Sequence, residues 1–150
     1  MKFLEKDLED IICKSFTNDY YNGLLVKKGL DLLGRHLWWH KRQLRIDGCG
    51  IADLVISHRN PYHKDNIHVN VIELKRGCIN GESVLQCNKY IDGISKYLDT
   101  RGINHTISGT LIGDRLNISS TFLNRDDLFY MSFYTYSYDI DGIEFIKHEM

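Results

Sequence analysis

The sequence predicts a mixed α/β fold in which helices cover a central sheet. Two segments, about 3–16 and 82–98, carry apolar residues at the three- and four-residue spacing of amphipathic helices. Short runs rich in β-branched residues lie between and after them, and such runs are typical of strands. The order of helix, three strands, helix and strand therefore predicts layers with the sheet in the middle.

The first half of the chain is expected to supply one helix and three strands. Leu4, Leu8, Ile11 and Ile12 mark the buried side of the helix, whereas segment 24–40 fits either a short helix or a loop. The elements expected here are a helix over 3–16, a turn-rich segment over 17–23, strands over Gln43–Ile46, Ile51–Ser57 and Ile67–Leu74, a turn over Asp47–Gly50 and a loop over His58–Asn66.

The second half is expected to supply another helix and three further strands. The helix begins at Glu82 or Ser83, runs to about Leu98 and ends near Gly102. The strands are expected over Ile107–Ile112, Phe129–Tyr136 and Ile143–Ile146. We expect a single domain over residues 1–150, with a core over about 3–113 and a β-rich addition over about 114–150.

Composition and charge narrow the class of protein. Hydrophobic residues make up 43% of the chain and charged residues 26%, as in ordinary globular proteins. The chain has no run of 18 apolar residues and its start is charged, so we expect no membrane span, no secretory signal and a cytoplasmic location, which is the host cytoplasm if the protein is viral. The net charge is −1, but residues 24–45 hold six basic residues and one acidic residue. That stripe fits either a phosphate-binding face or a solvated edge.

Two acids and a lysine form the most informative pattern. Asp53 lies within the aliphatic run Ile51–Ser57, and Glu73 and Lys75 lie two apart at the end of the next strand, so their side chains leave the same face. A buried carboxylate is costly unless it is paired or binds a metal. Two carboxylates can hold Mg²⁺, and a nearby lysine can orient a water or stabilise charge on a phosphate. The alternative is an ordinary ion pair between Glu73 and Lys75 at a strand end.

With this pattern the sequence resembles the PD-(D/E)XK nuclease superfamily, and more closely the catalytic domain of NucS-type endonucleases. The resemblance runs from about Glu5 to Ile94, and the family's proline before the first acid is replaced by Ala52. The segments that carry it, in family order, are Glu5–Asp10, Gly29–Arg35, Gly50–Leu54, Val71–Gly77 and Gln86-x-x-x-Tyr90. It implies an αβββαβ core with a central mixed sheet flanked by helices.

The resemblance also implies roles for single residues. Asp53, Glu73 and the backbone carbonyl of Leu74 would bind Mg²⁺, with Mn²⁺ as a substitute, and Lys75 would act on the attacking water. Gln86 and Tyr90 would support the site or contact phosphate. A first-helix glutamate would add an outer carboxylate, and Glu5 is preferred over Glu9. The expected nucleic-acid contacts are Tyr90, Arg76, Lys41, Arg42 and Arg45.

We therefore expect a metal-dependent DNA endonuclease of repair, recombination, restriction or phage DNA processing, working by analogy as a homodimer. One alternative is a nuclease fold kept as a binding or inhibitory module, for example one that blocks a host defence protein. Another is a nuclease subunit that needs a protein partner to bind DNA, which the modest net charge leaves open.

Overall fold

The computed structural model describes residues 5–32, 37–59 and 65–149, and the backbone alone of Glu5. In chain order the elements are α1 (Glu5–Thr17), α2 (Asp19–Lys27), β1 (Leu37–Ile46), β2 (Gly50–Arg59), β3 (Asn66–Leu74), β4 (Cys78–Ile79), α3 (Gly81–Thr100), β5 (Asn104–Gly113), β6 (Arg115–Leu116), α4 (Ser120–Leu123), β7 (Met131–Asp139) and β8 (Gly142–His148). None of the helices in these ranges is both long and apolar enough to pass through a bilayer.

The central sheet has six strands in the order β1-β2-β3-β5-β7-β8. Its two outer pairs and the β2–β3 pair are antiparallel, whereas β3–β5 and β5–β7 are parallel. Parallel neighbours need a crossover, and α3 provides it between β3 and β5. The predicted mixed sheet flanked by helices is therefore confirmed. The short strands β4 and β6 form a separate parallel pair.

The two faces of the sheet bury separate apolar clusters. On one face α3 packs on β2, β3 and β5, and the buried residues include Val84, Cys87, Ile91, Val55, Val71 and Leu111. On the other face α1 and α2 pack on the same strands, and the buried residues include Leu8, Ile12, Leu25, Leu54, Ile72 and Ile112. Alternate residues of β2 and β3 thus point to opposite cores, which explains their continuous apolar sequences.

The turn predicted over residues 17–23 is wrong, because α2 begins at Asp19 and covers most of that segment. The Asn18 side chain accepts hydrogen bonds from the amides of Tyr20 and Tyr21, so this polar residue caps a helix. Asn and Asp favour turns and helix N-caps for the same reason, since their side chains bond nearby amides. The polar residues of segment 17–23 therefore fitted either a turn or the start of a helix.

Other boundaries differ at exposed ends. The expected strand Gln43–Ile46 is the end of the longer β1, whose first residues are mostly exposed and so lack an apolar alternation. Helix α3 begins at Gly81, where Asn80 and Ser83 form a reciprocal capping box, and its end matches the expectation. Strands β7 and β8 lie close to their predicted positions and extend the main sheet beyond β5. The short elements β4, β6 and α4 carried no sequence pattern of their own.

A tight contact joins the last strand to the region after α2. The Phe145 amide donates to the Lys28 carbonyl at 2.8 Å. Gly29 has φ +103, and a Cβ at this position would overlap the Phe145 carbonyl oxygen. Only glycine fits both the backbone conformation and this close approach.

Candidate active site

Asp53 and Glu73 face each other where the backbone ladder between β2 and β3 ends. The pairing reaches Leu54 and Ile72, so the next step of the register sets Asp53 opposite Glu73. Here the Asp53 amide donates to Glu73 Oε2 at 3.1 Å, and the Leu74 amide donates to Asp53 Oδ2 at 2.9 Å. Each carboxylate therefore bonds a backbone N–H of the other strand, which holds both groups in the gap between the strands.

The electrostatics of the pair are dominated by burial and by the repulsion between the two acids. Glu73 is only 4% exposed. Burial raises its pKa, and the hydrogen bond and negative charge of the Asp53 carboxyl raise it further, while the positive charge of Lys75 opposes them. The pair consequently binds a proton more readily than two isolated carboxyls would, and a bound cation would relieve the same repulsion.

These donors suit a hard cation. Carboxylate and backbone carbonyl oxygens are preferred ligands of Mg²⁺, which commonly takes one or two carboxylates and completes its shell with water and phosphate oxygens. Asp53 is partly exposed, so solvent reaches the pair. Among the side chains that the structure describes, no cluster of three or more His, Cys, Asp or Glu is arranged to hold a metal. Two carboxylates are a donor set of the kind that Mg²⁺ accepts from a protein.

Lys75, Gln86 and Tyr90 form a hydrogen-bonded row beside the acids. Lys75 Nζ lies 3.5 Å from Gln86 Oε1, and Gln86 Nε2 donates to Tyr90 Oη at 2.8 Å. Gln86 and Tyr90 are one turn apart on α3, so both reach the same side of the helix. The ring of Tyr90 is buried, and a Cβ on Gly50 would contact it at 3.2 Å. The structure thus brings five of the predicted site residues together, in an order that fixes the lysine through the glutamine.

Of the two candidate glutamates on the first helix, Glu9 has a described side chain, and that side chain bonds Arg42. Glu9 is 6% exposed and accepts a 2.8 Å hydrogen bond from Arg42 Nε, while Arg42 Nη2 donates to Asp10 at 2.7 Å. These two carboxylates raise the pKa of Arg42. The side chain of Glu5, the preferred candidate, lies outside the described residues.

Gln43 contacts the Glu9–Arg42 ion pair and follows no pattern in the sequence. Its Nε2 donates to Glu9 Oε2 at 3.4 Å, and the register of β1 with β2 sets it across from Asp53. Its φ is +51, the one positive φ outside glycine among the described residues. Such a conformation is unfavourable for a side chain with a Cβ and persists where surrounding contacts enforce it. Gln43 is therefore a positioning candidate that only the three-dimensional structure reveals.

The expected nucleic-acid contacts fall into two groups. Lys41 and Arg45 are exposed on β1, and Arg76 is exposed directly after β3. Arg42 is held by Glu9 and Asp10, and Tyr90 is buried and bonded to Gln86. Lys41, Arg45 and Arg76 thus lie at the surface, whereas Arg42 and Tyr90 are engaged in hydrogen bonds within the protein.

The protein is thus a mixed α+β domain. An acidic pair on β2 and β3 and an adjacent lysine lie beside helix α3. The chain matches no protein-family model, and no curated protein or solved structure matches it.

Proposed function

We propose that the protein is a metal-dependent deoxyribonuclease of the PD-(D/E)XK type. The observation that carries the proposal is the close approach of the buried Glu73 and the partly exposed Asp53 in the gap between β2 and β3, with Lys75 beside them. An unrelieved acidic pair lowers stability, so its position in a strand gap argues for a ligand that compensates the charge. A divalent cation supplies that compensation and can bind a phosphodiester oxygen at the same time.

The roles follow from the donors. Asp53, Glu73 and the Leu74 carbonyl would hold Mg²⁺ or Mn²⁺, which when bound polarises a phosphoryl oxygen and favours ionisation of a water. The Lys75 ammonium can then orient the attacking water or stabilise charge on the phosphate, because Gln86 limits the positions that it can take. Tyr90 in turn orients the Gln86 amide, so these two residues support the position of the lysine.

The choice of DNA as substrate rests on the resemblance and on the exposed basic residues. Lys41 and Arg45 are exposed on β1, the neighbour of the strand that carries Asp53, and Arg76 is exposed shortly after the strand that carries Glu73. Phosphate contacts position a nucleic acid and make its affinity fall with salt. We expect binding to weaken as salt rises, measured as a gel shift across a salt series, and a flat response would count against phosphate-driven binding.

Cleavage of a DNA panel tests the proposal. Supercoiled, linear, single-stranded and branched DNA are incubated with Mg²⁺, Mn²⁺ or EDTA, using wild type, Glu73→Ala and Lys75→Ala. Glu144→Gln and Lys89→Ala are matched controls, since both residues are exposed and outside the site. The expected result is metal-dependent cutting that both site variants lose and both controls keep. Folded variants that behave like the wild type on every substrate would refute the nuclease assignment.

A second candidate function is a nuclease-fold subunit that requires a protein partner. The observation in its favour is that Glu9 and Asp10 neutralise Arg42, which removes one cation from the basic stripe. Under this proposal the isolated protein binds DNA weakly at all salt concentrations, and a partner restores both binding and cutting. The salt series and the panel separate the two candidates.

A further inference from the structure

A groove with apolar walls lies between the C-terminal half of α3 and strands β1, β2 and β3. Its volume is about 580 Å³, and its walls include Ile94, Leu98 and Val69. That size is within the range of small-molecule sites, which are mostly apolar with a few placed polar groups. None of the residues assigned to the acidic site lines it.

Three exposed aromatic rings line this groove. Trp38 and Tyr97 are 54% and 56% exposed, and Trp39 is also exposed. Single exposed rings are ordinary on protein surfaces, but three around one concave apolar surface form the kind of patch that marks a binding site. Trp38 and Trp39 are the two tryptophans of the whole sequence.

Guanidinium groups accompany the rings. Arg59 lies over the Trp38 ring at 4.7 Å from its centroid, and Arg101 lies over the Tyr97 ring at 4.9 Å. Arg45 lines the groove itself, where Asp47 is the acidic residue of the described lining. Flat rings with arginines around them suit a ligand that is aromatic at one end and anionic at the other.

The strand side of the groove holds a buried hydroxyl that lacks a partner. Ser57 is 4% exposed and lines the groove, and its Oγ has no hydrogen-bond partner among the described residues. A buried hydroxyl left unbonded is costly, so such a group is an anchor for a polar atom of a ligand. The ligand should therefore have a polar edge on its aromatic part.

We propose that this groove binds a nucleotide, with the base against the rings and the Ser57 hydroxyl, and the phosphate at the arginines. Insofar as the nucleotide belongs to a DNA strand, the inference rests on the proposed nuclease function. Asp53, Val55 and Ser57 are alternate residues of β2 and share one face of the strand. The four residue steps from Asp53 to Ser57 span roughly 13 Å, on the order of four base steps along a stacked strand of DNA. A single DNA strand can thus pass the acidic pair and place an unstacked base in the groove.

Tryptophan fluorescence tests the proposal directly, because the whole signal comes from the groove. The protein is titrated in EDTA with a short single-stranded oligonucleotide, with an abasic oligonucleotide of the same length, and with deoxynucleoside monophosphates. We expect quenching by the normal oligonucleotide and none by the abasic one. Tyr97→Ala, which keeps both tryptophans, should weaken binding on the order of tenfold or more. Ser57→Ala should weaken it several-fold, and Tyr130→Ala, an exposed tyrosine outside the groove, should leave it unchanged.

The arms of the experiment distinguish the possible results. Quenching by the oligonucleotide alone identifies a strand-bound base, and equal quenching by monophosphates identifies a free nucleotide; both support the proposal. The absence of base-dependent quenching overturns it. Base-dependent quenching in wild type and Glu73→Gln, together with no cleavage of any substrate, would refute the nuclease function but keep the nucleotide site.

Discussion

Replacing Glu73 with glutamine should stabilise the metal-free protein at neutral pH. The Glu73 carboxyl is buried against that of Asp53, and both conditions raise its pKa. Glutamine has the same shape, keeps an oxygen for the Asp53 amide and adds an N–H₂ group that can donate to the Asp53 carboxylate. Relief of one unfavourable buried polar contact is worth about 1–3 kcal/mol in the free energy of unfolding. At about 2–4 °C per kcal/mol for a domain of this size, the Tm should rise measurably.

The pH dependence of this difference follows from the direction of the pKa shift. The unfolded carboxyl titrates near its ordinary value of 4.5, and the folded one titrates higher. Between those values the folded state binds more protons, so the wild type loses stability as pH rises. The advantage of Glu73→Gln should therefore be small at pH 4.5 and below and should widen towards neutral pH. Urea unfolding in EDTA, followed by circular dichroism, measures it.

Added Mg²⁺ should reverse the order of stabilities. A ligand at a hundred times its Kd raises the free energy of unfolding by about 2.7 kcal/mol. The wild type should gain this stabilisation, while Glu73→Gln should gain much less and the exposed control Glu144→Gln should respond like the wild type. A glutamine variant that is less stable than the wild type in EDTA at neutral pH would show that the two carboxyls are not in unfavourable contact.

Three further outcomes are expected from urea unfolding. Arg42→Ala should lower the free energy of unfolding by about 1–3 kcal/mol, because it leaves the buried Glu9 carboxylate with only the 3.4 Å contact to Gln43 among the described residues. Lys96→Ala breaks an exposed pair and should change little; equal losses would contradict this. Burial lowers the pKa of His68, so near the ordinary value of 6.5 the unfolded state binds more protons than the folded state. The free energy of unfolding should therefore fall as pH drops through that value. His68→Gln should flatten this slope, and an unchanged slope would show that His68 is not its cause. Gly109→Ala should cost about 1–3 kcal/mol, because its Cβ would lie 2.9 Å from side-chain atoms of α3; an unaltered midpoint would show that the core yields there.

Sequence periodicity predicted the elements that have one buried and one exposed face, or two buried faces. Strand β3 and helix α3 were placed within a few residues, because aliphatic runs and helical spacing persist whenever an element packs on a core. The pairing of Asp53 with Glu73 was also accessible, since both acids interrupt apolar strands that are consecutive in the chain. In each of the two strands the signal is a carboxylate within an aliphatic run.

Long-range contacts were not accessible in this way. Glu9 and Arg42 are 33 residues apart, and neither has a neighbour in sequence that predicts their ion pair. Gln43 looks like an ordinary exposed strand residue, and its positive φ arises from tertiary contacts. The groove beside α3 gathers Trp38, Ser57 and Tyr97 from three elements, so its apolar lining is spread thinly along the chain. Such features depend on which elements become neighbours, and single-sequence periodicity does not contain that information.

The carboxylates that replace the strand ladder also give the protein a built-in spectroscopic reporter. The amide protons of Asp53 and Leu74 are bonded to side-chain acids whose charge changes with protonation or with a bound cation. Their chemical shifts and hydrogen-exchange rates should therefore follow the state of the acids, while amides of the ordinary ladder, such as that of Val71, stay constant. Two backbone resonances can thus record the affinity of the pair for protons and metals without any substrate, label or turnover.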